Sequence, residues 1–328
     1  MTDLLDATAH APARRRADDR LHLIVEAAED AAPGIRTVVL ADPEGRQLPS
    51  WVPGSHVVVD CGERRNAYSL TGPSLSPRTY TFSVLHKPDG RGGSTWMHQL
   101  SPGAAVAVTS PRSTFEPVAG AHHHLLVAGG IGVTPIVSHA RSAARWGQSF
   151  SVLYGHRPGA AAYADMLRQL AGDRLETYDD QPGFLRRIEQ ALVAQRLGTH
   201  LYVCGPAPLM DFVIRAAAAA GWPSDRVHSE RFSGEALDPG QPFTARLARR
   251  DRSIDVPAGV SLLDALEGAG VDVPNMCREG VCGECRVPVR SGRPLHRDLF
   301  LSPDERAAGD SIMCCVSRSV DGVLELGL

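Results

Sequence analysis

The sequence predicts a multidomain protein with three consecutive folds: an antiparallel β-barrel, an α/β domain with a parallel sheet, and a small α+β domain. Three observations indicate this order. Six short apolar runs lie between residues 21 and 109, strand-like and helix-like segments alternate from 124 to 220, and three closely spaced cysteines lie near the C-terminus. We place the domains at 19–117, 118–232 and 242–328, with a disordered tail at 1–18 and a linker at 233–241.

The first domain is predicted to consist of short strands. Its apolar runs lie at 21–25, 35–40, 56–60, 67–70, 80–85 and 105–109. Residues that favour turns separate these runs, at Pro43, Gly45, Pro53, Gly54, Gly72, Pro73, Pro102 and Gly103. Several short strands at regular spacing, with turn signals between them, are typical of a small antiparallel barrel.

The second domain alternates between strand and helix patterns. Strands are predicted at 124–128, 150–154 and 200–204. Helices are predicted after residue 135 as far as about Trp146, and at 161–171, 185–194 and 208–220. Because strands that alternate with helices form a parallel sheet with both faces covered, this segment is typical of a nucleotide-binding domain.

The third domain begins with a hairpin at 243–256 and a helix at 261–269, and then reaches a cysteine loop. Cys277, Cys282 and Cys285 have the spacing C-x4-C-x2-C, which is that of the loop holding three thiolate ligands of a plant-type 2Fe-2S cluster. The fourth thiolate comes from a distant segment, and both Cys314 and Cys315 qualify.

The glycines of this loop and the number of cysteines support the cluster. Gly280 and Gly283 let the backbone curl around the sulfurs, because glycine adopts positive φ readily. A zinc site would show paired C-x2-C units or mixed Cys and His ligands, and this chain has one such pair. A secreted disulfide scaffold would carry a dense, even set of cysteines, whereas there are 7 in 328 residues.

Composition excludes several functional classes. With 43% hydrophobic and 22% charged residues and a net charge of -3, the chain is globular and has no basic surface for nucleic acid. The longest apolar run, 125–137, is too short and too interrupted to span a membrane. The basic residues 14–16 are not followed by the apolar core of a secretory signal, and we expect a cytoplasmic protein.

Several motifs in this order resemble the phthalate dioxygenase reductase family, single-chain reductases that serve Rieske-type oxygenases. The motifs are Tyr68-Ser69, the glycine-rich loop at 129–135, the Cys-Gly-Pro turn at 204–206 and the cysteine loop. The resemblance runs from about residue 19 to the end. It implies a flavin-binding barrel, an NAD(P)-binding α/β domain and a plant-type, ferredoxin-like (β-grasp) domain.

The resemblance places a flavin on the predicted strand around residue 68. In the family an Arg-x-Tyr-Ser segment puts the tyrosine ring against the isoalloxazine and the serine hydroxyl near its N5. Here the arginine position holds Asn66, so that Arg65 or backbone amides would take the phosphate. Considered alone, a Tyr-Ser pair is ordinary strand packing. The cofactor-binding residues expected from the resemblance are Arg65, Asn66, Tyr68, Ser69 and Leu70.

A second glycine-rich segment resembles the family's phosphate loop. Gly92, Gly93, Ser94 and Thr95 precede a helical stretch, where backbone N–H groups and hydroxyls meet a phosphate. The alternative is a glycine-rich turn capped by Ser94. This domain order in the family goes with FMN rather than FAD.

The nucleotide site is also assigned by resemblance. The expected cofactor-binding residues are Gly130, Gly132, Thr134, Pro135, Cys204, Gly205 and Pro206. Ser69, Cys204, Glu230 and Phe232 are the expected catalytic residues, with Phe232 shielding the flavin until nicotinamide displaces it. Alternatively, Cys204 fills the core, and Glu230 and Phe232 end a strand.

Two further features leave alternatives open. Arg157 would favour the 2'-phosphate of NADPH, whereas Asp179 or Asp180 would favour NADH, which is the donor that we expect. The histidine run at 122–124 suggests a metal site, but successive residues of a strand point to opposite faces, so we do not assign one.

The resemblance also completes the cluster and implies a partner. The segment from Cys315 to Arg318 resembles the end of ferredoxin domains in which the cysteine before Val is the ligand. The metal ligands are therefore expected to be Cys277, Cys282, Cys285 and Cys315. The partner is an oxygenase component, a demethylase or ring hydroxylase, that docks transiently at the cluster loop through Arg278, Glu279 and Glu284.

The expected activity is electron transfer from NAD(P)H through flavin to the 2Fe-2S cluster and on to the oxygenase. The flavin accepts two electrons together and releases them singly. A reductase for another acceptor, such as a cytochrome or a ferric complex, and a non-catalytic iron-sulfur sensor are the alternatives.

Overall fold

The computed structural model describes residues 20–62, 64–90, 92–232, 238–250, 252–275, 278 and 280–328. The predicted tail at 1–18, residues 233–237 of the predicted linker, Cys277 and Glu279 lie outside these ranges. Within them, no helix is both long and apolar enough to cross a membrane.

The N-terminal domain is a barrel-like antiparallel sheet. It contains β1 (Arg20–Ala32), β2 (Ile35–Ala41), β3 (His56–Cys61), β4 (Arg64–Ser69), β5 (Thr79–Leu85) and β6 (Ala105–Thr109), with helix α1 (Gly93–His98) between β5 and β6. The strand order is β4-β3-β6-β1-β2-β5. Alternate side chains of these strands form one core, which includes Val38, Val57, Tyr80, Phe82 and Val108.

The six predicted strands of this domain are confirmed, but β1 continues well beyond its predicted end. Residues 26–32 are mostly polar or alanine, so they carry no apolar signal. They are held by pairing with β2, where Ala28 lies opposite Val38 and Asp30 opposite Arg36. Pairing in the sheet, rather than side-chain pattern, extends the strand.

The middle domain is a five-stranded parallel sheet with helices on both faces. Its elements are β7 (His123–Gly129), α2 (Val133–Arg145), β8 (Phe150–Gly155), α3 (Ala164–Ala171), β9 (Leu175–Tyr178), α4 (Gln181–Val193), β10 (Thr199–Cys204), α5 (Ala207–Ala219) and β11 (Val227–Glu230). The strand order β11-β10-β7-β8-β9 puts β7 in the centre. The chain builds outward from β7 in both directions, so the carboxyl ends of β7 and β10 form the topological switch point, where open α/β sheets bind ligands.

The C-terminal domain is a mixed sheet covered by a helix. It contains β12 (Phe243–Leu247), β13 (Arg252–Val256), α6 (Leu262–Gly268), β14 (Arg286–Ser291), β15 (Pro294–Leu295), α7 (Pro303–Ala308), β16 (Ser311–Met313), β17 (Arg318–Ser319) and β18 (Val323–Leu326). The larger sheet has the order β13-β12-β18-β14-β16, in which β12 and β18 are parallel. Leu262, Leu263 and Leu266 bury one face of α6 in its core, which also contains Cys285 and Cys315.

The histidine run at 122–124 enters β7 with its side chains on alternate faces. The ring of His123 is hydrogen-bonded to Ser149 (2.8 Å) and Ser151 (3.0 Å). His124 is 2% exposed, and neither of its ring nitrogens has a hydrogen-bond partner in the described structure. Burial lowers the pKa of His124 to about 4 and that of His139, on α2, to about 3. Both rings are therefore neutral at pH 7.

These buried histidines predict acid sensitivity. An imidazole with an unfolded-state pKa near 6.5 takes up its proton more readily when the chain unfolds, so stability falls as the pH drops from 6.5 towards the lower folded-state values. Substituting His124→Leu removes a ring that has no hydrogen bond to lose. We expect this variant to lose about 1.5 kcal/mol less stability than the wild type between pH 6.5 and 5.

Thermal unfolding measured across that pH range tests this expectation. The matched control is His22→Leu, which replaces an exposed histidine in β1 and should unfold with the wild-type pH dependence. If the unfolding temperature of the wild type and of the His124→Leu variant changed with pH to the same extent, the lowered pKa of His124 would be contradicted.

Candidate functional site

A cavity of about 370 Å³ lies where the three domains meet. Its wall includes Tyr68 and Ser69 at the end of β4, Glu230 and Phe232 at the end of the middle domain, and Cys282 of the cysteine loop. Cavities that bind cofactors usually have volumes of roughly 300–1,000 Å³. Residues predicted from three separate motifs are thus brought to one space.

The barrel side of the cavity is formed by β4. The ring of Tyr68 is stacked on Phe82, with centroids 5.2 Å apart and planes 7° apart. The amide of Asn66 donates a hydrogen bond to the Tyr68 hydroxyl at 3.2 Å, which fixes the ring from its other end. Leu70 is fully buried in the barrel core rather than in the cavity wall. The cavity therefore has a rigid aromatic side.

One end of the cavity is cationic. Arg65 lines it and is ion-paired with Asp60 at 3.3 Å, with nearly half of the arginine side chain exposed. Lys87, the only lysine of the chain, also lines this end. The motifs did not identify Lys87, because it precedes the glycine-rich segment and becomes its neighbour only through the turn between β5 and α1.

The glycine-rich segment reaches this cationic end as the start of α1. The N-cap residue is Gly92, with a positive φ of 92°, and a Cβ atom on Gly93 would lie 2.4 Å from the Asn66 amide nitrogen. Ser94 is hydrogen-bonded to the backbone of Lys87, and the Thr95 hydroxyl to the ring of His86. Ser94 does not cap the helix, and the N-cap Gly92 offers no side-chain acceptor to the backbone N–H groups of the first turn.

The opposite side of the cavity is the topological switch point. A Cβ atom on Gly132 would lie 2.4 Å from the Cys204 carbonyl oxygen, and one on Gly205 would lie 3.1 Å from the Cα of Gly129. Glycine is required here because the two backbones touch. Thr134 lines the cavity and donates its hydroxyl hydrogen to Ile131 at 3.0 Å. Pro135 is buried at the start of α2, and Pro206 is the N-cap residue of α5.

Glu230 connects this side to the barrel. It lies beside Cys204 in the parallel pair of β10 and β11, accepts a hydrogen bond from the Ser69 hydroxyl at 3.4 Å, and lies 4.0 Å from the ring of His56. Burial raises the pKa of Glu230 to about 8 and lowers that of His56. Burial also raises the pKa of the fully buried Cys204 thiol. Near pH 7 these groups are neutral.

Phe232 and His56 also line the cavity on this side. Phe232 is 40% exposed and lines the cavity at the end of the described part of the middle domain. His56 was not predicted, because its role depends on β3 lying beside Glu230, which is distant in sequence. A polar residue at the start of an apolar strand gives no sequence signal for this contact.

The cysteine loop curls as its glycines predict. Gly280 and Gly283 have φ of 73° and 79°. A Cβ atom on Gly283 would lie 2.3 Å from the Phe300 ring, and one on Gly280 would lie 2.6 Å from Val316. Any larger residue at either position would push the loop away from the segments that support it.

Three of the four predicted thiols lie in the described structure at one end of the C-terminal domain. The Sγ atoms of Cys285 and Cys315 are 3.1 Å apart, and Cys282 lines the cavity. Cys277 lies outside the described residues. The thiol of Cys314 also neighbours Cys285, but Cys314 is fully buried in the core, whereas Cys315 is 6% exposed. A cluster of soft thiolates fits iron-sulfur chemistry.

Two of the three residues predicted to dock a partner, Arg278 and Glu284, form ion pairs within the chain. Arg278 forms ion pairs with Asp264 (2.8 Å) and Glu267 (2.6 Å) of α6. Glu284 forms an ion pair with Arg112, in the segment that follows the barrel. Glu279 lies outside the described residues. Glu284 therefore faces the barrel rather than an open surface.

Two protein-family models match the chain. One, the N-terminal domain of dimethylamine monooxygenase subunit DmmA-like proteins, matches residues 107–227, and the other, the 2Fe-2S iron-sulfur cluster binding domain, matches residues 245–319. The chain is 43% identical over 286 residues to the heme-dependent oxidative N-demethylase beta subunit of Ectopseudomonas mendocina, covering 86% of this chain and 90% of the relative. It is 37% identical over 329 residues to the phthalate dioxygenase reductase of Burkholderia cepacia, covering 95% and 98%.

Solved structures give the same picture. A phthalate dioxygenase reductase, described as a modular structure for electron transfer from pyridine nucleotides to [2Fe-2S], superposes with a TM-score of 0.74 at 35% identity and covers 94% of this chain and 98% of that chain. An intact type IV self-sufficient cytochrome P450 monooxygenase superposes with a TM-score of 0.81 at 35% identity, covering 94% of this chain and 41% of that chain.

The two adjacent cysteines make a direct test of the ligand set. We expect Cys315→Ser to lose the iron and the visible absorbance of the cluster, because a hydroxyl replaces one thiolate. We expect Cys314→Ser to keep the cluster with a small loss of stability, because a hydroxyl is buried in an apolar core. Iron analysis and absorbance spectra of both variants measure this. Loss of the cluster in Cys314→Ser and its retention in Cys315→Ser would reverse the assignment.

Proposed function

Because this chain belongs to the phthalate dioxygenase reductase family, we propose that the cavity between its three domains is where NADH, flavin and the iron-sulfur cluster exchange electrons. The chain is the reductase component of an oxygenase system, an oxidoreductase that passes electrons from NAD(P)H through a flavin to a 2Fe-2S cluster. The observation that carries the proposal is that the barrel, the middle domain and the cysteine loop all contribute residues to this one cavity.

The barrel wall would hold the flavin. The fixed ring of Tyr68 supplies a flat apolar side, and the Ser69 hydroxyl lies next to it. Arg65, Lys87 and the first-turn N–H groups of α1 offer positive charge and donors to a phosphate. These residues lie at one end of the cavity, which favours FMN, whose phosphate ends the molecule. A flavin supplies the step that the chain's own side chains cannot, since it takes up a hydride and releases single electrons.

The switch point would hold the nicotinamide. Gly130, Gly132 and Gly205 keep the backbone open at the carboxyl ends of β7 and β10, and Thr134 presents its side chain to the cavity. Phe232, which lines the cavity and is 40% exposed, would move aside when the ring enters. Cys204, Glu230 and Ser69 lie next to one another on this side, and burial keeps Cys204 and Glu230 neutral.

Donor preference would be decided at the ends of β8 and β9. Asp180 is already the N-cap of α4, accepting the Gly183 N–H at 2.6 Å. Asp179 is exposed at the end of β9, where its carboxylate would bind a ribose hydroxyl and repel a 2'-phosphate. Arg157 is also exposed, after β8. We propose NADH as the donor on the basis of Asp179.

The cysteine loop would hold the cluster through Cys277, Cys282, Cys285 and Cys315. Cys282 lines the cavity, so the side of the loop that carries this thiol is directed at the flavin site. Electrons would then pass from the cluster to the partner through another side of the loop. Thiolate ligands and a reduced cluster fit a reducing compartment, so we place the protein in the cytoplasm.

An anaerobic titration tests the electron path and the donor together. With NADH, the flavin and cluster absorbance should bleach after about 1.5 equivalents, since a flavin holds two electrons and a 2Fe-2S cluster one. NADPH should need a far higher concentration. The flavin released on denaturation should be FMN. A protein that binds a cluster but no flavin, or whose bands respond to neither nucleotide, would overturn the proposal.

The partner is proposed to be a demethylating oxygenase. The family resemblance points to a Rieske-type enzyme. A second candidate, a heme-dependent N-demethylase, is favoured by the 43% identical relative and by the match to the DmmA-like model. The two differ in the iron centre that receives the electron.

Reconstitution separates the two candidates. The reductase is mixed with a purified Rieske-type demethylase or with a purified heme-dependent amine demethylase, and NADH consumption and formaldehyde release are measured. We expect coupled turnover, one formaldehyde for each NADH, with the cognate class alone. Equal uncoupled NADH oxidation with both classes would contradict a specific partner.

A further inference from the structure

We propose that the ion pair between Arg112 and Glu284 is a positioning device that holds the cluster loop against the flavin cavity and so sets the rate of electron transfer within the chain. The pair joins the segment after the barrel to the cysteine loop, across 172 residues of sequence. This inference rests on the proposed function of the cavity. It assigns Arg112 and Glu284 a role within the chain rather than in docking.

Arg112 is held rigidly on the barrel side. Its backbone N–H donates to the His56 carbonyl at 3.0 Å, and its carbonyl accepts from the His56 N–H at 2.8 Å. This isolated bridge attaches Arg112 to the start of β3. Because the anchor uses backbone groups alone, the guanidinium can be replaced without removing it.

Glu284 is held equally firmly on the other side. It lies between Cys282 and Cys285, directly after Gly283, whose Cα packs under the Phe300 ring. Cys282 lines the cavity, and Cys285 lies beside Cys315. A displacement of Glu284 would therefore also displace Cys282 and Cys285, two of the proposed cluster ligands. The same loop is connected to the cavity by Leu299, whose N–H donates to the Gly280 carbonyl at 2.8 Å.

The local charges favour this contact. The side chains of Arg112 and Glu284 are 25% and 31% exposed, so the pair is shielded from solvent more than a typical surface ion pair. His56, which lines the cavity, also lies near the Glu284 carboxylate, which partly offsets the effect of burial on the histidine pKa. Glu284 thus lies close to a residue of the cavity wall, although it belongs to a domain whose sheet is separate from those of the other two.

A weaker contact between Arg112 and Glu284 would lower the rate of electron transfer from the flavin to the cluster. Interfaces between domains of one chain are usually small and polar, and relative motion is their normal behaviour. Electron transfer weakens steeply as donor and acceptor separate, so the fraction of molecules with the loop in place limits the observed rate. An ion pair of this kind also weakens as salt is added.

Charge-reversal variants test the positioning role of the ion pair. The variants are Arg112→Glu, Glu284→Arg and the double variant, with Glu284→Gln as a milder change. Stopped-flow absorbance after anaerobic mixing with NADH follows the flavin and the cluster separately. We expect the single variants to reduce the cluster roughly threefold to tenfold more slowly, at an unchanged rate of flavin reduction, and the double variant to recover most of the wild-type rate. Added salt should slow cluster reduction in the wild type towards the rate seen in the single variants.

Two further measurements separate positioning from other effects. Small-angle X-ray scattering of the oxidised protein should give a larger radius of gyration for the single variants than for the wild type and the double variant. The matched control is Asp321→Asn, which breaks the pair with Arg293 (2.7 Å) inside the C-terminal domain and should change neither readout. Rates are compared for protein with equal iron and flavin content.

The possible results distinguish a failure of this inference from a failure of the proposed function. If wild-type protein fails to bleach with NADH, the proposed function itself is wrong. If the wild type bleaches and the single variants match its internal rate, the positioning role is wrong. Slower transfer to an oxygenase with unchanged internal transfer would also overturn it, because Glu284 would then act in docking.

Discussion

The close approach of two backbone segments underlies the whole arrangement. Gly132 and Gly205 allow the loops after β7 and β10 to touch; at Gly132 the approach leaves no room for a Cβ atom, and at Gly205 a Cβ atom would be tightly packed. This contact lies at the switch point of the parallel sheet, where the pairing of β10 with β11 places Cys204 next to Glu230. Glu230 then reaches Ser69 of the barrel, and through that contact the two N-terminal domains share one cavity wall.

Neutral and cationic side chains lie in different parts of the cavity wall. Burial keeps Glu230, His56 and Cys204 neutral, whereas Arg231, which also lines the cavity, is ion-paired with Asp211. At the other end lie Arg65 and Lys87, where an anionic group is expected. The neutral buried groups on one side of the cavity follow from burial, and the cationic end follows from the position of the turn that carries Lys87. The cluster loop closes the third side, and its glycines fix the curl that directs Cys282 inward.

Sequence reasoning recovered the elements that depend on local pattern. The six barrel strands, the alternating strands and helices of the middle domain, and the positive φ of Gly280 and Gly283 are each encoded within a few residues. The strands β9 and β11 were missed, because each has four residues with a single aliphatic side chain, Leu175 in β9 and Val227 in β11. The short elements after the cysteine loop were missed for a similar reason, since they are too brief to show a period.

Contacts between distant segments were not predictable in the same way. Lys87 and His56 belong to the cavity only because of how the barrel is arranged, and neither lies in a recognisable motif. Glu284 was expected on an open docking face, yet it pairs with Arg112, which no spacing in the sequence indicates. Motifs thus identify what chemistry a segment carries, whereas the placement of one domain against another depends on such long-range pairs.

A crystal structure of the oxidised, cofactor-loaded protein, with anomalous scattering measured at the iron edge, tests the central claim most directly. The account predicts two iron peaks beside Cys282, Cys285 and Cys315, and flavin density in the cavity with its ring against Tyr68 and its phosphate near Lys87. Iron or flavin density on opposite faces of the molecule, with the cavity filled only by water, would contradict it.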